Sequence, residues 1–254
     1  MMKAQITYWG AATVLLEIGP FRLLTDPALD AAGSYRGAKL MGPPISPEHI
    51  GSIDAVLLSH DQHGDNLDRA GRALLPLAGR VLTTPTGEVR LEGNALGLRP
   101  WQSTELVAPG GLTLRVTATP ARHGPEEVAA AFGEVTGFVL EWEDQQHGVL
   151  YISGDTTWQE AVEEVGRRFD VGAAILHLGA VLLGDGSPTL ITFDGAGGAR
   201  AAKALDARTV IPIHYEGWTH FRESRKEIID AFEQAGLGDR VKWLPLGKAV
   251  RLEI

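Results

Sequence analysis

Four apolar runs in this chain, rich in branched residues, stop at the same kind of residue. "AVLLS" (55–59) ends at His60, "LRVTATPAR" at His123, "VLYISG" at Asp155 and "TVIPI" at His214. Short branched runs of this sort read as strands. Strands that share a direction tend to bring their C-terminal ends to one edge of a sheet, where α/β folds place ligands. Three histidines and an aspartate are therefore expected at a common edge. That is a ligand set for zinc, iron or manganese without sulfur. Sulfur ligands and disulfides are excluded outright, because the chain has no cysteine.

The rest of the chain supplies elements around that edge. "AQITYWG" and "ATVLLEIGPFRLLTD" read as strands, the second run folding into a hairpin at Gly19-Pro20. Residues 28–50, with four glycines and prolines among their last nine positions, read as a long loop that ends in a short helix capped by Ser46. Further helices are expected over 67–79, 158–169, 193–207 and 225–236, and further strands over 80–84, 112–121, 134–143, 147–155 and 171–180. Strands dominate the first half, and strand and helix alternate in the second. With no repeat and no evident linker, one layered α/β domain over residues 1–254 is the simplest reading.

Composition narrows the functions. Of 254 residues, 44% are hydrophobic and 22% charged, enough for a sizeable core. A net charge of −9 argues against a general affinity for nucleic acid. The N-terminal "MMKAQITYWG" lacks the apolar core of a signal peptide, and no apolar stretch approaches the ~20 residues of a membrane span, so a cytoplasmic location is expected. "FDGAGG" lacks the ending of a phosphate loop and the spacing of a dinucleotide fingerprint.

Taken singly, each candidate residue has a structural explanation. A histidine at a strand end is commonly a buried, hydrogen-bonded residue. Asp155 in "SGDTTW" can cap the following helix, Asp26 before Pro27 can belong to a turn, and Asp61, Asp65 and Asp68 can be caps or solvated charges. His49 and His147 sit in loop contexts. The ordered set is harder to explain in this way.

In that order the motifs resemble the metallo-β-lactamase fold superfamily, and within it the small hydrolases similar to the L-ascorbate-6-phosphate lactonases. "YWGAATVLLEIGPFRLLTDP" resembles the opening hairpin with its buried aspartate, here Asp26. "LLSHDQHGDNLD" resembles the signature loop, and "TPARHG", "YISGDT" and "IPIHYEGW" resemble the later ligand segments. The resemblance spans nearly the whole chain and implies a four-layer αββα sandwich with metal at one edge.

The signature H-x-H-x-D-H is imperfect here. Aligned from the left, Gln62 replaces the second histidine. Aligned from the right, His63, Asp65 and Asn66 match H-x-D-H with Asn66 in place of the last histidine, and one residue is inserted after His60. The right-hand alignment keeps the aspartate and the "NLD" that begins a helix. By resemblance, His60, His63 and His123 form a first metal site, Asp65 and His214 a second, and Asp155 bridges them. Asn66 stands at a ligand position, where an amide oxygen is a weaker and harder donor than imidazole.

The resemblance implies one or two divalent cations per chain, zinc first, with manganese or iron as alternatives. It implies a hydrolase of a small-molecule ester, lactone or phosphoester. Asp65 or Asp155 would orient the attacking water, His177 or His220 would protonate the leaving group, and Asp26 would orient a ligand or the loop. His177 is alternatively a substitute for the missing ligand. Tyr215, Glu216, Trp218, Trp101 and Trp158 are candidate pocket residues, and the 28–50 loop is a candidate lid whose Tyr35, Arg36 and Lys39 would meet an anionic substrate. Two other functions stay open: a nuclease-type phosphodiesterase, and a non-catalytic metal-binding or sensing protein. The expected partner is a small molecule, with no membrane role, and a homo-oligomer is compatible with the chain.

Overall fold

The computed structural model describes residues 2–184 and 186–254. The branched, alternating runs at the start form β1 (Ala4–Gly10), β2 (Thr13–Ile18) and β3 (Phe21–Thr25), an antiparallel meander turned at Gly19 (φ 54°). β4 (Ala55–Leu57), β5 (Arg80–Thr83) and β6 (Ala95–Gly97) then add in parallel to β3. Parallel neighbours need crossovers, supplied by α1 (Arg69–Leu74) and α2 (Pro85–Leu91).

The second sheet starts with β7 (Ser103–Val107) and β8 (Thr113–Ala121). After α3 (Glu126–Phe132) come β9 (Val135–Trp142) and β10 (Val149–Ile152), all antiparallel to their predecessors. α4 (Glu160–Arg168) leads to β11 (Val171–His177), and α5 (Gly195–Ala204) to β12 (Thr209–Ile213), both strands parallel to β10. After α6 (Arg225–Gln234), β13 (Ala249–Leu252) returns to the first sheet beside β1. The sheet orders are β13-β1-β2-β3-β4-β5-β6 and β12-β11-β10-β9-β8-β7.

Burial gives the layering. Ile6, Leu16 and Leu57 of the first sheet share one apolar cluster with Val116, Phe138 and Ile175 of the second, so the sheets pack face to face. On the far face of the second sheet, Tyr151 and Leu176 meet Ala199 and Ala202 of α5 and Phe232 of α6. On the far face of the first, Leu24 and Val56 meet Leu67 and Leu74 around α1. The order is helix, sheet, sheet, helix, as the resemblance implied. No helix among the described residues is long and apolar enough to cross a membrane.

Differences from the sequence reading have local causes. The helix expected over 67–79 is α at Arg69–Leu74 and tightens to a 3-10 turn at Leu75–Leu77. Pro76 lacks the N–H that would continue the α ladder. α2, α3, β6 and β7 were not anticipated. Yet α2 carries a start signal, with the Thr84 side chain accepting from Gly87 N–H and proline at the first helical position.

The topology explains the shared edge. β8 and β10 are both antiparallel to β9, so they point the same way, and β11 and β12 are parallel to β10. The segments that follow β8, β10, β11 and β12 therefore emerge at one edge. β3 and β4 run together in the facing sheet and bring Asp26 and the 59–68 loop to the same cleft.

Candidate metal centre

Asp26 is the first fixed point. Its N–H donates to Leu57 O (3.1 Å), and its carbonyl accepts from Thr13 Oγ1 (2.7 Å). Its backbone sits at φ 32°, a left-handed conformation that Asp tolerates better than most residues. Carboxylate Oδ1 accepts from Ser59 N (2.7 Å) and Ser59 Oγ (2.9 Å). Burial pushes the Asp26 carboxyl up, and the facing His177 pulls it back.

This contact sets the protons in the next residue. The Ser59 hydroxyl proton goes to Asp26, so Ser59 Oγ is left to accept from His60 Nδ1 at 2.9 Å. His60 Nε2 is then a bare lone pair. His123 is prepared in the same manner: its Nδ1–H donates to the carbonyl of Ile191 at 2.6 Å, leaving Nε2 bare. Both bare nitrogens face His63 Nδ1, at 2.9 Å from His60 and 3.2 Å from His123. A single proton on His63 satisfies one of them at most. Three ring nitrogens with a proton too few converge on one point, the arrangement that a three-imidazole cation site requires. Burial drives His60 down to about 3 against the pull of Asp155, and burial also lowers His123.

Asp65, Asp155 and His214 form the neighbouring cluster, with ligand atoms within 4.8 Å of one another. His214 Nε2 lies 3.3 Å from Asp65 Oδ2 and 3.6 Å from Asp155 Oδ2. Asp155 Oδ2 also lies 3.7 Å from His123 Nε2, so this carboxylate stands between the two clusters. Burial alone would depress His214, but Asp155 and Asp65 push it up to about 9. Burial opposes ionisation of Asp155, yet His214, His60 and His123 hold it down to about 2, and His214 and His220 hold Asp65 well below the usual carboxylate range.

Two buried atoms at this second cluster have no hydrogen-bond partner, His214 Nε2 and Asn66 Oδ1. An unmet buried polar atom costs about 1–3 kcal/mol, and both belong to residues expected to hold a cation. The donor chemistry therefore fits one. Asn66 has zero exposure, and its Nδ2 reaches Ser59 Oγ and Asp155 Oδ1 only at 3.4 Å each.

The structure separates the two alignments of the signature loop. His63 joins His60 and His123, whereas Gln62 turns back, its Oε1 accepting from Asp61 N and its amide nitrogen lying against Gly133. Asp61 is held by Arg90, with Nε 2.9 Å from Oδ2, and Asp68 caps α1 through Gly71 N–H.

Other expectations change. His177, expected as acid or substitute ligand, faces Asp26 Oδ2 with Nε2 (3.3 Å) and Ser153 Oγ with Nδ1 (3.3 Å), so both ring nitrogens are engaged behind the clusters. His220 is placed well, with Nε2 2.8 Å from Asp65 Oδ2 and its side chain 35% exposed. Lys39 does not meet substrate: its side chain is 2% exposed, and Nζ binds Asp68 Oδ2 (2.7 Å) and Ala28 O (2.8 Å). Removing one member of such a buried pair costs about 3–5 kcal/mol. Tyr215 packs on Trp243, and Trp101 and Trp158 lie under Arg168 and Arg200, in or against the outer helical layer, so none of the three lines the clusters. Glu216 faces Tyr8 and Tyr215. Phe132 and Phe221 were missed, although their rings pack on His123 (4.8 Å between centroids) and His214 (4.6 Å). Phe221 directly follows His220, a signal that was there to read, whereas Phe132 lies on the unanticipated α3.

Known proteins share this arrangement of chain. A UPF0173 metal-dependent hydrolase of Pyrobaculum aerophilum is 28% identical over 222 residues, covering 83% of this chain and 84% of that protein. The crystal structure of an isothiocyanate hydrolase from Delia radicum gut bacteria superposes with a TM-score of 0.81 at 24% identity, covering 98% of this chain and all of that one. Igni18, a metallo hydrolase of the archaeon Ignicoccus hospitalis, gives 0.76 at 22% identity, with 99% of both chains covered. The profile of the β-lactamase superfamily domain matches residues 21–215, which contain both clusters, and the chain belongs to that family.

Proposed function

We propose that the chain is a metal-dependent hydrolase of a small-molecule ester, lactone or phosphoester. The observation that carries this reading is the pair of clusters meeting at Asp155, whose Oδ2 lies 3.7 Å from His123 Nε2 and 3.6 Å from His214 Nε2. His60, His63 and His123 would hold one divalent cation, and Asp65, Asp155 and His214 a second, with Asn66 as an amide donor. Such cations lower the pKa of water from about 15.7 to near 7 and polarise the attacked carbonyl or phosphoryl oxygen. Imidazoles suit zinc, whereas the oxygen-rich second cluster suits manganese or iron equally.

The protein's own residues do the rest. Asp26 and Ser59 keep the His60 proton on Nδ1, so that Nε2 stays a donor of electrons. Ile191 does the same for His123. Asp155, standing between the two clusters, would orient the nucleophile. Asp65 anchors His220 at the rim through Oδ2, and His220 there delivers a proton to the departing oxygen.

The test is elemental analysis of protein prepared without added metal and after reconstitution, coupled to a panel of lactones and phosphodiesters with and without a chelator. Bound divalent cation and chelator-sensitive hydrolysis are expected. Protein that takes up no cation on reconstitution and hydrolyses nothing would refute the proposal and favour a non-catalytic role.

A further inference from the structure

The two polar clusters are bordered by aromatic rings. Tyr35 lies on Gly64, between His63 and Asp65, so closely that a Cβ at Gly64 would stand 2.9 Å from its ring. Tyr35 packs at 5.0 Å on Trp218, which packs at 5.7 Å on His220, which in turn meets Phe221 at 4.7 Å. On the opposite side Phe132 lies 5.7 Å from His63 and 4.8 Å from His123. Trp218 is 6% exposed, whereas Tyr35 keeps 44% of its surface open. Tyr35 is therefore the ring in this border with the most area to give a ligand.

Its presentation is fixed. Tyr35 and Arg36 both sit at φ 56°, in the left-handed region that non-glycine residues avoid. The strap that holds them there is tied down behind its tip. Leu40 N–H donates to Gly217 O (2.7 Å), Thr219 N–H donates to Ala38 O (2.9 Å), and Lys39 is locked to Asp68. An unfavoured conformation that its surroundings enforce next to a polar site is a reason to look for a ligand contact.

The cations on this border fall into two groups. Lys39 and Arg90 are paired with Asp68 and Asp61, Arg72 donates to the Asp61 carbonyl, and Arg122 Nε donates to Gly124 O. These groups are committed within the protein, whereas Arg36 and Arg69, both near Tyr35, are exposed.

We infer that the substrate carries a flat aromatic or unsaturated apolar group that lies on Tyr35, with its hydrolysable bond over the clusters. The inference rests on the hydrolase reading and narrows it. Kinetics of the reconstituted enzyme on three probes test it: dihydrocoumarin (neutral, aryl), δ-valerolactone (neutral, alkyl) and bis(4-nitrophenyl) phosphate (anionic). Tyr35→Ala is expected to raise KM for dihydrocoumarin about five- to tenfold, the scale of one aromatic contact. kcat, metal content and the KM for δ-valerolactone should hardly change, and Tyr35→Phe should restore the aryl KM. The same surface is read without turnover by calorimetric binding of benzohydroxamate against acetohydroxamate. The wild type should prefer the aryl compound, and Tyr35→Ala should narrow that preference by the same factor. An unchanged preference in Tyr35→Ala overturns the inference. So does bis(4-nitrophenyl) phosphate as the best probe, with its KM moved by Arg36→Ala and not by Tyr35→Ala. If none of the three probes is hydrolysed while the aryl preference and its loss are seen, the hydrolase reading falls and the role of Tyr35 stands.

Discussion

The two neighbouring clusters are built from opposite chemistry. His60, His63 and His123 are nitrogen donors, two of them with their only proton drawn away from the centre, and burial keeps His60 and His123 down. Asp65, Asp155 and His214 combine two ionised carboxylates with an imidazole that they push up to about 9. In the first cluster His60 and His123 turn bare nitrogens to the centre. The second keeps a proton where a cation would sit, so an entering cation has to expel it. On the proposed function, tighter occupancy of the first cluster than of the second is the expected outcome.

The largest effect should come from removing a first-cluster imidazole. Outer partners of metal ligands are worth about 10–100-fold in metal affinity, so His63→Ala, which deletes a direct donor, should exceed that range. Elemental analysis after dialysis should find the tighter cation gone. Full occupancy in His63→Ala would instead break the comparison at its root, since His63 is the ring on which the other two converge. Ser59→Ala should cost about 10–100-fold, because the His60 proton loses its acceptor and Asp26 loses one of two donors from Ser59. An unchanged dissociation constant, measured by competition with a chelating dye, would show that the Asp26–Ser59–His60 chain does not tune the first cluster.

How far this was legible in the sequence depended on whether a residue's partner was close in the chain. His60, His123, Asp155 and His214 announced themselves because each ends an apolar run, a pattern that one strand suffices to show. The loop was ambiguous, and the alignment that keeps Asp65 was preferred on the strength of the helix that follows. The side-chain directions of Gln62 and His63 carry that choice in the structure, and no linear pattern encodes them. His177 was misjudged because its partner Asp26 lies 151 positions away. Lys39 was misjudged for a like reason. In sequence it sits in a polar loop, and its burial comes from Asp68, 29 positions on. Short elements such as β6 and α3 carry too little periodicity to read, and with α3 went Phe132.

Asn66 sharpens the comparison from the other side. Its Nδ2 sits 3.4 Å from Asp155 Oδ1 while its Oδ1 has no partner. Asn66→Asp keeps the shape and adds a second carboxylate beside Asp155. Without metal the like charges should repel and lower the melting temperature. With metal they should strengthen the second cluster by on the order of tenfold, a binding term that adds to folded-state stability. The shift in melting temperature on adding manganese should therefore be wider in the variant than in the wild type. An equal shift would mean that Asn66 does not face the cation.

Glu223 should give the smallest effect, a test of how the second cluster is held from behind. The segment from His214 to Glu223 carries Trp218, His220 and Phe221, and it is pinned to the start of α5 where Glu223 Oε2 accepts from Gly195 N–H at 2.6 Å. Burial pushes this carboxyl up, the Gly195 N–H pulls against it, and Asp194 and Glu227 add to the rise, leaving it at about 7. A raised carboxyl keeps its proton in the folded chain while the unfolded chain, at the ordinary glutamate value of 4.5, releases it. Its contribution to stability is therefore greatest below about 4.5, falls as the pH rises towards about 7, and is level above that. Glu223→Gln preserves an oxygen for Gly195 and removes the titration. Its melting temperature relative to wild type should rise by roughly one or two degrees between pH 5 and pH 8, a small value because the group is only partly buried. First-cluster metal content should not change. A pH-independent difference would mean that Glu223 is ionised in the folded chain throughout, and that the pin owes nothing to its proton.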